Sequence, residues 1–237
     1  MIGMHIPDGF IDGPTSLVAG VLAIAGVAFC LHMVSRTMDD RDIPIVGLAA
    51  AFVFAAQMLN FPVVNGTSGH LLGGVLAAVL VGPYAGGLAV TVVLVVQGLL
   101  FADGGLSALG LNVVNMALVG AFVGYGIFVL VRRLLGPTVR SVTLAAGIAG
   151  FTAPVLASVA FTVEYAVGGN DAVSLGAVAG AMTGVHTLIG IGEGIITALA
   201  VGAVMAVRPD LVYGARGIVA PSPTPAVGAP VGVPGAS

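Results

Sequence analysis

Apolar residues run through this chain in long unbroken blocks, without the alternation of a half-buried strand or the polar stripe of a water-facing helix. The blocks fall at about 15–35, 44–60, 68–82, 85–102, 106–131, 141–165 and 176–206. A helix needs about 20 apolar residues to cross a hydrocarbon core, with roughly 17 to 25 usual. The pattern therefore predicts an all-α fold, a polytopic transmembrane helix bundle of about seven spans. The third block is short for a span. The last is long enough to tilt or to extend past the bilayer.

The polar residues between the blocks predict an orientation. Seven spans put the two ends of the chain on opposite sides. Arg36 and Arg41 follow the first block, Arg132, Arg133 and Arg140 separate the fifth from the sixth, and Arg208 and Arg216 follow the seventh. A seven-span arrangement places all of these on one side, which the positive-inside rule makes the cytoplasm. The N-terminus and the connections near 61–67, 103–105 and 166–175 then lie outside. They carry Asp8, Asp12, Asp103 and Asp171 and no basic residue. The expected setting is a multi-pass protein of the bacterial plasma membrane, N-terminus outside and C-terminus inside.

Composition strengthens this picture and removes other classes. Of 237 residues, 58% are hydrophobic and 7% charged, against roughly 25% charged in a soluble domain. The mean hydropathy is +1.15. There is no lysine, and a net charge of -3 with no basic patch argues against a nucleic-acid partner. The single cysteine, Cys30, excludes a disulfide framework and a cysteine-cluster metal site. No GxxxxGK[ST] loop is present, so no ATP is expected to be bound or hydrolysed by this chain. The start, MIGMHIPDGF, has no basic segment and does not read as a secretory leader. Small residues at Gly120 and Gly124, and at Gly176 and Gly180, have the spacing of close helix contacts. The Pro-, Gly-, Ala- and Val-rich end, 208–237, is expected to be a disordered cytoplasmic tail.

Polar side chains inside lipid-spanning blocks are expensive and hence candidates for function. They are His32, Gln57, Asn60, His70, Gln97, Asn112, Asn115, Glu164, His186 and Glu193. Asn60, His70, Gln97, Asn112, Asn115, His186 and Glu193 fall toward the outer half, where Asn112 and Asn115 share a helix face. They predict one outward-facing pocket. Interhelical hydrogen bonding accounts equally well for Gln97, Asn112 and Asn115. His32 reads as interfacial, and Glu164 is expected to face water.

The N-terminal run Met4-His5-Ile6-Pro7-Asp8-Gly9 carries its own chemistry. In a mature chain beginning at Met4, the α-amine, the His5 amide nitrogen and His5 Nδ1 can chelate one metal ion in fused rings. A second histidine could complete a planar four-nitrogen site, the geometry suited to Ni(II) and Cu(II). The amide proton must be displaced by the metal, so capture weakens as pH falls. Pro7 and Gly9 would turn the chain after the chelate, and Asp8 could orient it.

The segment MHIPDGF resembles the start of the substrate-binding S components of cobalt and nickel energy-coupling-factor transporters, the CbiM/NikM family. NFPVVNGTSGHLLGG at 60–74, LNVVNMALVG at 111–120 and HTLIGIGEG at 186–194 extend the resemblance over all seven blocks. The resemblance implies an N-terminal segment, 1–14, folded back into a bundle formed by 15–207. It implies Met4, His5 and His70 as metal ligands for Co2+ or Ni2+, the transported substrate. It further implies Asp8, Asn60, Ser68, Gln97, Asn112, Asn115, His186 and Glu193 as pocket or supporting residues. Energy would come from two ATPase subunits through a transmembrane coupling subunit, with a small accessory membrane subunit beside them. Cobalt and nickel remain equal candidates, and corrin-synthesis or nickel-enzyme genes nearby would separate them.

Two other readings compete. Gly66-Thr67-Ser68-Gly69 is a literal GxSG, and with His186 it would form the Ser–His dyad of a rhomboid-like intramembrane protease. An ATP-independent metal carrier using His186 and Glu193 is the other.

Overall fold

The computed structural model describes residues 5–58, 60–62, 68–170 and 172–218, with the backbone alone at 60–62 and 68–69. These residues form seven helices: α1 (Gly13–Thr37), α2 (Ile43–Gln57), α3 (Gly74–Val81), α4 (Pro83–Leu100), α5 (Leu109–Leu135), α6 (Val139–Gly168) and α7 (Leu175–Val207). The helix starts follow from local chemistry. Asp12 stands extended before α1 and accepts the Thr15 N–H at 2.9 Å, while Pro14 removes one donor that would go unpaired. Thr138 and Ser141 cap α6 reciprocally, and Ser174 accepts the Ala177 N–H at the start of α7.

Five helices, α1, α4, α5, α6 and α7, are long and apolar enough to cross a membrane. Their outward faces carry Leu17, Val21, Ile24, Leu188 and Leu199, all exposed. Such a surface suits lipid and not water. The arginines gather at one end of the bundle, because α1 ends, α2 begins, α5 ends, α6 begins and α7 ends there. The chain is a multi-pass membrane protein.

The third apolar block behaves differently from expectation. Residues 68–82 do not form one span. Ser68–His70 is strand β2, paired antiparallel with β1 (Asn60–Pro62) so that Asn60 lies opposite His70. The helix that follows, α3, has only eight residues. At the α-helical rise it covers roughly 12 Å, well short of a bilayer core. It is possible there because other helices surround it. Gly74, Val75, Leu76, Ala77, Ala78 and Val79 are all buried, and irregular backbone at membrane depth is tolerated where protein covers it.

Close backbone contacts hold α3 in place. A Cβ on Gly74 would lie 2.8 Å from the Gly120 carbonyl carbon, and Gly124 backs onto Val75. The expected contact face at Gly120 and Gly124 is therefore used, against α3. A Cβ on Gly176 or Gly180 would meet nothing within 4 Å among the described residues.

The end of the chain also departs from expectation. Order continues past 207 through two 3-10 turns, Pro209–Leu211 and Tyr213–Ala215. Val212 and Ala215 are buried in a cluster with Val75, Val79, Phe128, Val142 and Val201. Arg132 donates to the Gly214 carbonyl at 2.8 Å. Composition did not betray this, because two apolar side chains and one arginine suffice to pin a turn. Residues 219–237 lie outside the described residues.

Candidate functional site

The N-terminal segment folds against the end of the bundle opposite the arginines, and residue-level bonds hold it on two sides. On one side, the Ile6 N–H donates to Asn112 Oδ1 at 3.2 Å, and the Gly105 N–H donates to the Ile6 carbonyl at 2.9 Å. Asp8 Oδ1 accepts the Ser107 N–H at 2.8 Å and also the Ser107 hydroxyl. On the other, Asp12 N–H donates to the Gly168 carbonyl at 2.7 Å, Ile11 bridges to Gly169, and Asn170 Nδ2 donates to the Gly9 carbonyl at 3.2 Å. Phe10 stacks on Phe161 and lies 5.2 Å, ring to ring, from Tyr165. Ile6, Phe10 and Ile11 thus join a cluster with Ala19, Leu111, Phe161 and Val178.

This docking carries His5 inside, where it is 7% exposed. It meets His70, 5% exposed, with ring centroids 4.6 Å apart and planes at 69°. Two histidines separated by most of α1, α2 and the hairpin are brought into contact. His70 Nδ1 donates to the Leu71 carbonyl at 2.8 Å. A proton fixed on Nδ1 leaves the lone pair on Nε2, the arrangement of a ligand nitrogen. His5 Nδ1 lies 3.3 Å from both the backbone oxygen and Oδ1 of Asp103, and its buried Nε2 has no hydrogen-bond partner among the described residues. Its Nδ1 is thus turned to Asp103, where the sequence reading had it free for chelation.

The loop before α5 is shaped for His5. Ala102 has φ 51°, a backbone conformation that costs energy for a residue with a Cβ, and Gly104 has φ 85°. A Cβ on Gly104 would lie 2.6 Å from His5 Cβ. Sequence reading missed Asp103 as the partner of His5. The signal was an acidic residue beside a Gly-Gly pair.

Other expected residues are placed as follows. Asn112 is buried and serves the N-terminal segment. Asn115 is buried, but its Nδ2 donates to Glu164 Oε2 on α6 at 2.7 Å. The two asparagines do not share a target, because Val113–Val123 is π-helical and its wider turn spreads residues three apart. Glu164, expected to face water, is instead half-buried and held by Asn115. Gln97 is fully buried, and neither amide atom has a hydrogen-bond partner among the described residues. His186 is half-buried, with Nδ1 on the Met182 carbonyl of its own helix at 2.8 Å. Asp8 faces Ser107 and does not reach back to His5. Glu193 is buried, and its two oxygens accept from the Leu72 N–H at 2.7 Å and the Gly73 N–H at 2.9 Å. Gln57, not expected in the site, donates to the Leu72 carbonyl at 2.8 Å. Met4 lies outside the described residues, as do the side chains of Asn60 and Ser68. Among the described residues no three His, Cys, Asp or Glu side chains form a metal cluster.

Comparison with known proteins points one way. Residues 5–211 match the family model CbiM, "Cobalt uptake substrate-specific transmembrane region". A relative in Archaeoglobus fulgidus bearing the designation NikMN is 41% identical over 209 residues, 88% of this chain and 68% of its own. The cobalt transport protein CbiM of Sorangium cellulosum is 35% identical over 88% of this chain and 94% of its own. The fused nickel transport protein NikMN of Rhodobacter capsulatus is 35% identical over 69% of this chain and 47% of its own. Two crystal structures have the same fold. A transition metal transporter superposes with a TM-score of 0.80 at 32% identity, covering 86% of this chain and 93% of its own. A truncated transition metal transporter gives 0.79 at 31%, covering 86% and 99%.

Proposed function

We propose, from the premise that this chain belongs to the CbiM family of cobalt-uptake substrate-specific transmembrane proteins, how a member built this way takes up its metal. The family is one of metal-transport components and not of enzymes, so the Ser68–His186 protease reading is set aside. The finer reading is an S component of an energy-coupling-factor importer for Co2+ or Ni2+. It captures the ion from outside and releases it through a complex with a coupling subunit, two ATPase subunits and a small accessory subunit.

The observation that carries the reading is the buried contact between His5 and His70 at 4.6 Å. A docked N-terminal segment brings a second imidazole, and the backbone nitrogens next to it, to a histidine whose Nε2 is left open. In the proposed site His70 Nε2, His5 Nδ1, the His5 amide nitrogen and the α-amine of Met4 hold the ion. Binding then requires the His5 ring to turn Nδ1 from Asp103 to the metal. Asn112, Gly105, Ser107 and Asn170 keep the segment in register while this happens. Burial removes the ion's water, so the nitrogens replace it, and a planar four-nitrogen set favours Ni2+.

Isothermal titration of the purified chain with Co2+ and Ni2+ tests the reading. His5→Ala and His70→Ala should each weaken binding sharply, to a residual affinity that titration still reads, while leaving the helical fold intact. Unchanged affinity in both would overturn it. Metal uptake by cells lacking any ATPase partner would favour the ATP-independent carrier instead.

A further inference from the structure

The residue after His70 begins a stretch of backbone with no regular partner. Residues 71–73 connect strand β2 to helix α3, and Gly73 stands in the left-handed region at φ 74° with no side-chain cap of its own. Backbone N–H groups at a buried helix start need partners. Here they come from far along the chain. Glu193, on α7 and 2% exposed, takes the Leu72 N–H on one oxygen at 2.7 Å and the Gly73 N–H on the other at 2.9 Å. Gln57, at the end of α2 and fully buried, holds the Leu72 carbonyl at 2.8 Å. The Leu72 N–H shares its peptide group with the Leu71 carbonyl that holds His70 Nδ1, and the Leu72 carbonyl shares the next with the Gly73 N–H, so both groups are fixed from two helices. Gly73 can accept no bulk in this frame, since a Cβ there would lie 2.8 Å from Val53 Cγ1.

We propose that Glu193 is a positioning residue for the metal site: it sets the place and ring orientation of His70 by clamping the Leu72 and Gly73 amides, without itself touching the ion. The inference rests on His70 being a ligand, as proposed above. The chain of contacts is short and directional. Glu193 fixes residues 72–73, these fix the Leu71 carbonyl, and that carbonyl fixes His70 Nδ1 and so aims Nε2. A carboxyl is required because two adjacent N–H donors need two acceptor oxygens. Glutamine in its place offers one acceptor and turns a donor toward the other N–H. Aspartate is one methylene short of reaching both.

The test uses the full-length chain in detergent, with Ni2+ as the probe, and compares wild type, Glu193→Ala, Glu193→Gln, His70→Ala and the double variant Glu193→Ala/His70→Ala. Affinity is read by titration calorimetry, ligand geometry by the visible ligand-field absorption of bound Ni2+, and fold by circular dichroism melting. Removing an outer partner of a ligating histidine lowers metal affinity by about tenfold to a hundredfold. Glu193→Ala is expected to lose that much and to shift the ligand-field spectrum. In the His70→Ala background the further loss should be under about twofold, because independent effects add and dependent ones do not. Glu193→Gln, which preserves volume and should fold even where the alanine variant does not, is expected to lose about tenfold. The proposal is overturned by wild-type affinity and spectrum in Glu193→Gln, or by an equal loss from Glu193→Ala in both backgrounds. Unchanged affinity in His70→Ala would instead refute the ligand assignment on which the proposal stands.

Discussion

At the scale of single residues, side-chain position is decided by which backbone groups need partners. Gly104 shows this most sharply. It stands at φ 85°, and any side chain there would run into His5. Gly104→Ala should displace the N-terminal segment and lower Ni2+ affinity by tenfold or more (on the order of 1–3 kcal/mol of strain), measured by titration calorimetry. Asp8 makes a pH prediction. The Ser107 hydroxyl, then the Ser107 amide, hold its carboxyl below the usual carboxylate range. A lowered carboxyl pKa contributes stability above the unfolded value and loses it as pH falls through the folded one. The Asp8 clasp should therefore stay closed throughout the neutral and mildly acidic range, opening only once the pH falls below the usual carboxylate range. Protease protection of the segment across a pH series reads this out. The sequence made His5 and His70 visible, because a histidine in a Pro-Gly run at a lipid-rich chain's outer surface has few other uses. It hid the partners of Asn115, Glu164 and Glu193. Those depend on which helices touch, and one sequence holds no record of that.

Elements were legible where lipid acts on them alone. Five long blocks became five membrane-length helices, with ends set by Asp12, Thr138 and Ser174 close to where their polarity put them. The third block misled, since a hydropathy window sees the same apolar run whether its neighbours are lipid chains or other helices. The π segment misled for a related reason: no periodicity in Val113–Val123 distinguishes a wide turn from an ordinary one. The N-terminal segment can be tested as an element. Phe10→Ala removes the aromatic contacts to Phe161 and Tyr165. It should cost about 2–4 kcal/mol. A lower melting temperature and faster cleavage within residues 5–12 are the expected readings.

For the whole molecule, orientation is the open quantity that follows from the arginine end. With the N-terminus outside, a Val173→Cys variant should react with a membrane-impermeant maleimide in intact cells, and an Arg133→Cys variant only after permeabilisation. The native Cys30 is 1% exposed and stays silent in both. The reverse pattern would invert the topology. The chain beyond α7 gives a second whole-molecule prediction. Val212 and Ala215 close the core beneath α3, and Gly214 packs on Phe128. Ending the chain after Val207 should lower the melting temperature in detergent by several degrees, the scale of about 2 kcal/mol. Composition alone places the end of order at the end of α7, before the two turns that follow it, because it counts residues and not contacts.

The eight residues of α3 have one more consequence, for how the protein is made. A segment so short presents too little apolar length to leave a translocation channel sideways as a helix in its own right. The walls it needs, α4 to α7, are synthesised after it. The hairpin and α3 must therefore wait at the membrane surface until later helices arrive to enclose them. Glu193, among the last of these to be synthesised, is the residue that ties α3 down. Assembly of the bundle thus finishes at the hairpin before α3, and a chain interrupted before α7 would carry both histidines without bringing them into register.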